Sequence, residues 1–109
     1  MVKQIAARIP IPEEEIEAFC RKWDVQRFEL FGSVLREDFD PEKSDVDVMV
    51  TLTKERSYTL FDIVHMQDEL GSIFGRKVHL SERPAVEQSR NHFRRRHILE
   101  NAQEVYVVP

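Results

Sequence analysis

A stretch of eight residues in the middle of the chain, residues 45–52, constrains the fold more than any other part of the sequence. Its residues alternate between an apolar set, Val46, Val48, Val50 and Leu52, and a second set, Asp45, Asp47, Met49 and Thr51. Successive side chains of a β-strand point to opposite faces of the sheet, so this period of two predicts a half-buried strand. The chain is therefore expected to build a sheet against a hydrophobic core.

Other patterns predict helices and further strands around this strand. After Pro12 come three glutamates and then an apolar stripe at positions i, i+3, i+4 and i+7, which is typical of an amphipathic helix. Strands are predicted near residues 26–31, 77–80 and 105–108, and helices near residues 13–23, 59–74 and 85–102. The expected fold class is α/β of the α+β type, a small mixed sheet with helices packed mainly on one face, in a single domain over residues 1–109.

Composition and charge exclude several classes of protein. The 109 residues suffice for one hydrophobic core, and the single cysteine, Cys20, is expected to lie in it. A formal net charge of -4 and a pI near 5.6 argue against binding of long nucleic acid, which requires a broad basic surface. No apolar run approaches the roughly 20 residues that cross a bilayer, and no secretory signal begins the chain. The protein is therefore expected to be cytoplasmic, without a membrane partner.

Two polar features have the residue types that phosphate chemistry requires. Gly32 and Ser33 follow the first predicted strand, and glycine lets the backbone of such a turn approach a phosphate. A lone Gly-Ser pair is, however, usually an ordinary turn with serine as the helix cap. Asp45 and Asp47 lie about 7 Å apart on one strand face, where two carboxylates repel each other unless a cation neutralises them. Magnesium fits that role, and a solvated strand face is the alternative.

Together these features resemble the minimal nucleotidyltransferases of the DNA polymerase beta superfamily, whose signature is Gly-Ser, a gap of about ten residues and Asp-x-Asp. The matching segments are FGSVLR at residues 31–36, SDVDVMV at residues 44–50 and GRKVHL at residues 75–80. The resemblance implies that Gly32 and Ser33 hold the β- and γ-phosphates of ATP and that Arg36 assists on the phosphate side. It also implies that Asp45 and Asp47 coordinate two magnesium ions.

His79 departs from the pattern of this family, which usually has a third carboxylate on the same strand. Alternation places His79 opposite Val78 and Leu80, on the face expected for Asp45 and Asp47. A neutral imidazole can accept a proton but adds no negative charge. Three outcomes remain open: a slow enzyme, an enzyme in which His79 is the catalytic base, or a nucleotide binder without transfer activity.

Members of the resembled family often act with a helical HEPN-type protein, as the antitoxin and the toxin of a pair. The resemblance therefore implies a magnesium-dependent adenylyltransferase antitoxin that attaches AMP from ATP to a tyrosine of a HEPN-type RNase toxin. A second hypothesis is an antitoxin that neutralises its partner by binding alone. A third, transfer to a small acceptor such as an antibiotic hydroxyl, is disfavoured because such enzymes need additional acceptor-binding structure.

Residues 90–96 hold the only concentrated positive charge of the sequence. Helical spacing places Arg90, Arg94 and His97 on one side, where they could meet an acidic partner or RNA. The alternative is a solvated helix face countered by nearby glutamates. Phe93, together with Ile98 and Leu99, is expected to pack inward.

Overall fold

The computed structural model describes residues 2–108, which form one four-stranded sheet and four α-helices. In chain order the elements are α1 (Glu13–Trp23), β1 (Val25–Phe31), a 3-10 turn (Gly32–Leu35), β2 (Val46–Leu52), α2 (Leu60–Phe74), β3 (Val78–Glu82), α3 (Arg83–Glu87), α4 (His92–Asn101) and β4 (Gln103–Val107). The predicted strands and the first two predicted helices are present, with ends that shift by no more than two residues. Among the described residues, no helix is long and apolar enough to cross a membrane.

The sheet has the strand order β3-β2-β1-β4. β1 is antiparallel to both of its neighbours, whereas β2 and β3 are parallel and are joined through the crossover helix α2. In this register Asp47 lies beside Phe31 at the end of β1 and beside His79 at the start of β3. The mixed sheet confirms the predicted fold class.

The main core lies between one face of the sheet and helices α1 and α2. The apolar stripe of α1 is buried there as predicted, and so are Phe28 of β1 and Val48 of β2. Met66 and Leu70 supply the contacts from α2. Cys20 is a buried free cysteine, which confirms its predicted place in the core. Helix α2 begins with a capping box and ends at Gly75 in the left-handed conformation, so both of its limits follow from local sequence.

The opposite face of the sheet carries a smaller apolar cluster under helix α4, formed by Phe31, Met49 and Ile98. This region corrects two expectations. The single helix predicted over residues 85–102 is two helices, because the chain turns after α3 and Asn91 caps α4 by accepting a hydrogen bond from the backbone N–H of Arg94 at 3.1 Å.

The inward packing predicted for Phe93 is also wrong, since this side chain is 90% exposed. Ile98 is the residue of α4 that points to the sheet, and five helical positions rotate Phe93 by roughly 140° away from it. Leu99 is half-buried against the same apolar cluster.

Candidate active site

The Gly-Ser turn lies directly against the second aspartate. Gly32 has φ +78°, a left-handed conformation that favours glycine, and a Cβ atom placed there would overlap Oδ2 of Asp47. The turn is closed by a hydrogen bond in which the backbone N–H of Arg36 donates to the carbonyl of Ser33 at 2.9 Å. Glycine at this position therefore allows the end of β1 to approach the carboxylate on β2.

Asp45, Asp47 and His79 lie together at one end of the sheet. Asp45 immediately precedes β2, Asp47 is its second residue, and His79 is the neighbour of Asp47 across the parallel pair. Nε2 of His79 and Oδ2 of Asp45 are 2.7 Å apart. A carboxylate can only accept, so the hydrogen of this bond resides on Nε2. The placement predicted for His79 on the aspartate face is therefore observed, while its catalytic role stays a prediction.

The electrostatic environment of Asp47 disfavours its charged form. Burial raises the pKa of this carboxyl and Asp45 adds to the increase, whereas His79, Arg94 and Arg36 lower it. The charge of Asp47 is therefore only partly compensated by the surrounding protein. A bound cation would supply the missing compensation.

The chemistry of these donors suits a hard divalent cation. Asp45 and Asp47 offer carboxylate oxygens, and Asp47 also lines the cavity beside the glycine turn. Within residues 2–108 no group of three or more His, Cys, Asp or Glu side chains forms a candidate metal site. Two carboxylates are nevertheless the usual protein contribution to a magnesium site, whose other ligands are water and phosphate oxygens.

A cavity of about 570 Å³ opens beside this cluster. The predicted nucleotide-binding residues Gly32, Ser33 and Arg36 line it, and so does Asp47. Nε of Arg36 contacts Asp38 at 3.0 Å, so this guanidinium is held on the rim by an exposed ion pair. Small-molecule sites have volumes of roughly 300–1,000 Å³, and the volume of this cavity lies within that range.

Sequence reasoning missed the opposite wall of the cavity. Arg94, His97 and Asn101 of α4 line it there, together with Gln103 at the start of β4. The spacing of three and then four positions places the first three on one helix face, and that spacing was the available signal. The sequence placed Arg94 and His97 on a common side but gave no indication that this side faces the sheet.

The arrangement defines a class of protein: a small mixed α/β domain whose Gly-Ser turn and Asp-x-Asp strand face a nucleotide-sized cavity. Residues 13–105 match the model of the family described as nucleotidyltransferase domain. The chain belongs to this family. A search of curated proteins gave no match.

Solved structures with the same fold include components of toxin–antitoxin complexes. A toxin–antitoxin complex with AMP-PNP aligns with a TM-score of 0.66 and 16% identity, over 90% of this chain and 75% of the other. A complex of a tri-AMPylated Shewanella oneidensis HEPN toxin with an MNT antitoxin aligns with a TM-score of 0.57 and 15% identity, over 89% and 71% of the two chains. A proposed minimal nucleotidyltransferase aligns with a TM-score of 0.63 and 25% identity, over 84% and 86%.

Proposed function

We propose that this protein is a magnesium-dependent nucleotidyltransferase that acts as an antitoxin by transferring AMP from ATP to a tyrosine of a HEPN-type RNase toxin. The observation that carries the proposal is the packing of the Gly32 backbone against the carboxylate of Asp47, beside a nucleotide-sized cavity. This contact brings a turn that can accept phosphates next to a side chain that can hold their cation.

The structural relatives support the choice of nucleotide and of partner. One of them is a toxin–antitoxin complex with the ATP analogue AMP-PNP, and another contains a HEPN toxin that carries AMP in complex with an MNT antitoxin. The nucleotide and the partner are properties of those related proteins, and we extend them to this chain as part of the proposal.

Some residues of the chain would bind magnesium and the phosphates, and another would accept the proton of the tyrosine. Asp45 and Asp47 would hold magnesium, which when bound offsets the negative charge of the triphosphate and polarises its α-phosphate. Gly32 would let the phosphates lie close to the backbone. In the reaction the tyrosine oxygen bonds to the α-phosphorus, the bond from that phosphorus to the bridging oxygen breaks, and pyrophosphate leaves.

His79 is the proposed acceptor of the tyrosine proton. Nε2 carries the hydrogen shared with Asp45, so the lone pair of the neutral imidazole is on Nδ1 and can take up the proton. The Asp45 carboxylate would then stabilise the imidazolium that forms.

The same contact favours a second candidate function, neutralisation of the partner by binding alone. The His79–Asp45 hydrogen bond occupies one of the carboxylate oxygens that the proposal assigns to the cation. The imidazole also adds no negative charge to hold a second cation. An antitoxin of this kind would keep the nucleotide cavity but would not transfer.

Labelled ATP distinguishes the two functions. The protein is mixed with magnesium, ATP labelled in the α-phosphate, and a HEPN-type protein encoded by a neighbouring gene. The proposal expects label on a tyrosine of the partner, and it expects none with the variant Asp45→Asn/Asp47→Asn. If the wild-type protein suppresses the RNase without labelling it, and the double variant does so equally well, binding alone is the function.

The role of His79 has its own test in the same assay. As the base, His79 should contribute roughly 100-fold or more to the rate, so His79→Ala should lose that factor. His65 is an exposed histidine of α2, away from the cavity, and His65→Ala is the matched control. Equal rates for the two alanine variants would contradict a role for His79. Faster transfer by His79→Asp would show that His79 limits the transfer rate of a working enzyme.

A further inference from the structure

One face of helix α4 forms the wall of the cavity opposite the Gly-Ser turn. Arg94, His97 and Asn101 are three and four positions apart, so they lie on one side of the helix, and all three line the cavity that Gly32 and Asp47 also line. Only one residue of α4, Ile98, is buried against the sheet. Ile98 and the half-buried Leu99 hold the helix against the sheet, and the polar face lies over the cavity.

Arg94 differs from the neighbouring arginines of α4 because its guanidinium makes no hydrogen bond or ion pair within residues 2–108. Arg95 donates to the carbonyl of Ser89 and contacts His92, and Arg96 is paired with a glutamate one turn later. The guanidinium of Arg94 makes no ion pair with any described residue, although it lines the same cavity as Asp47. A cavity with a free guanidinium beside a carboxylate suits a ligand that brings both an anion and its cation.

The cavity extends along the helix. Arg94 stands near the carboxylate and the turn, whereas Asn101 lies seven residues, or roughly 10 Å, further along the helix axis. The lining also includes the apolar side chains of Ala6, Leu35 and Ile98. A cavity of this length, lined by charged and apolar side chains, can accommodate the phosphates and the nucleoside of a nucleoside triphosphate.

Asn101 presents a hydrogen-bonding group to the cavity. Its Nδ2 donates to the carbonyl of His97 at 2.8 Å and also lies 3.4 Å from Nδ1 of the same residue, so Nδ2 is engaged within the helix and the amide oxygen is available. A free amide oxygen can accept a hydrogen bond from the N6 amino group of adenine. Guanine presents the acceptor O6 at the corresponding position and cannot donate to this oxygen.

We infer that α4 is the second wall of the nucleotide site, on which Arg94 binds the polyphosphate while His97 and Asn101 bind the nucleoside and favour adenine. This inference rests on the proposed function, since it specifies how the same cavity takes its nucleotide. Among the arginines of the basic segment, residues 90–96, it assigns a function to Arg94 alone.

The test measures nucleotide affinity directly, by competition of ATP, AMP and GTP against a fluorescent ATP analogue with magnesium present. Arg94→Gln is compared with Arg90→Gln, which removes the same charge from an exposed residue that lines no cavity described here. A charge-assisted hydrogen bond corresponds to roughly 10- to 100-fold in affinity. Arg94→Gln should lose that factor for ATP and much less for AMP, whereas Arg90→Gln should bind both as the wild-type protein does.

Asn101→Ala tests the other end of the cavity. This variant should weaken ATP and AMP by the same factor, and it should reduce the preference for ATP over GTP. Thermal unfolding of each variant confirms that the chain is folded.

The outcomes separate this inference from the proposed function. If the wild-type protein binds no magnesium-ATP, both fail. If it binds magnesium-ATP through Asp45 and Asp47, but Arg94→Gln binds as well as Arg90→Gln and Asn101→Ala keeps the ATP preference, the proposed function stands and α4 is not part of the site.

Discussion

At the scale of single residues, Gly32 meets two demands at once. Its φ of +78° suits glycine, and its missing side chain leaves the space that the Asp47 carboxylate occupies. Gly75 at the end of α2 has a similar φ of +67°, but nothing lies within 4 Å of a Cβ added there. The two glycines thus separate the cost of the backbone conformation from the cost of the close approach.

This difference predicts unequal effects of alanine at the two positions. Gly75→Ala should cost about 1–2 kcal/mol of stability, because it adopts the left-handed region, and should leave nucleotide binding unchanged. Gly32→Ala should lose the same stability through its backbone conformation. It should also displace Asp47, and transfer should fall by roughly 100-fold. Urea denaturation and the labelling assay measure the two quantities, and equal activity of the two variants would contradict the account of the turn.

Asp47 should make the metal-free protein less stable at neutral pH. Its pKa in the folded protein lies above the ordinary value of 3.8, so the folded state holds this proton more tightly than the unfolded state does. The stability connected with this group is therefore greatest below pH 3.8 and is lost as the pH rises through the folded-state pKa.

Asp47→Asn should accordingly raise the Tm at pH 7 in the presence of a chelator, and the gain should shrink towards pH 4. Asp68→Asn, at an exposed aspartate of α2, is the control for the loss of a negative charge. Scanning calorimetry of the three proteins at several pH values measures the effect. A lower Tm of Asp47→Asn at pH 7 would show that burial does not dominate at this carboxylate.

At the scale of secondary-structure elements, a buried ion pair attaches α3 to the sheet. Glu29 of β1 is 3% exposed, and Nη1 of Arg83 contacts its two carboxylate oxygens at 2.7 and 2.9 Å. Arg27 approaches the same carboxylate at 3.7 Å. This pair holds the chain that leads from β3 to α4, and therefore supports the wall of the cavity.

Arg83→Met should destabilise the protein by about 3 kcal/mol, because it leaves a buried carboxylate without its main partner. Replacing both partners, as in Glu29→Met/Arg83→Met, should recover most of that loss. Arg96→Met breaks an exposed pair with Glu100 and should cost much less, because solvent screens that pair. Urea denaturation measures all three, and a loss for Arg83→Met no larger than that for Arg96→Met would contradict this role of the buried pair.

The sequence predicted best those elements whose limits are determined by residues close to them in the chain. The alternation of β2, the apolar stripe of α1 and the stop of α2 at Gly75 each depend on neighbouring residues. The break between α3 and α4 was missed because no Pro or Gly marks it. The partner that fixes Arg83 is Glu29, which lies 54 residues earlier in the chain.

At the scale of the whole molecule, the candidate site is assembled from the ends of β1, β2 and β3 on one side and from α4 on the other. The sequence predicted the first side, because Gly32, Asp45, Asp47 and His79 follow from strand register. It did not predict the second side. Helical spacing fixes which residues share a face of α4, but only the packing of Ile98 on the sheet decides what that face meets.

This assembly makes the binding of nucleotide a property of the folded chain rather than of any one motif. A ligand that binds only the folded state raises its stability, by about 2.7 kcal/mol at 100 times the dissociation constant. Magnesium and ATP together should therefore stabilise the protein, whereas neither ATP with a chelator nor magnesium alone should do so to the same extent.

Calorimetric titration of magnesium-ATP into the wild-type protein and into Asp45→Asn/Asp47→Asn tests the central claim most directly. The account predicts saturable binding to the wild-type protein that is lost with a chelator and lost in the double variant, while the variant stays folded. Absence of binding to the wild-type protein, or equal binding to the two proteins, would contradict it.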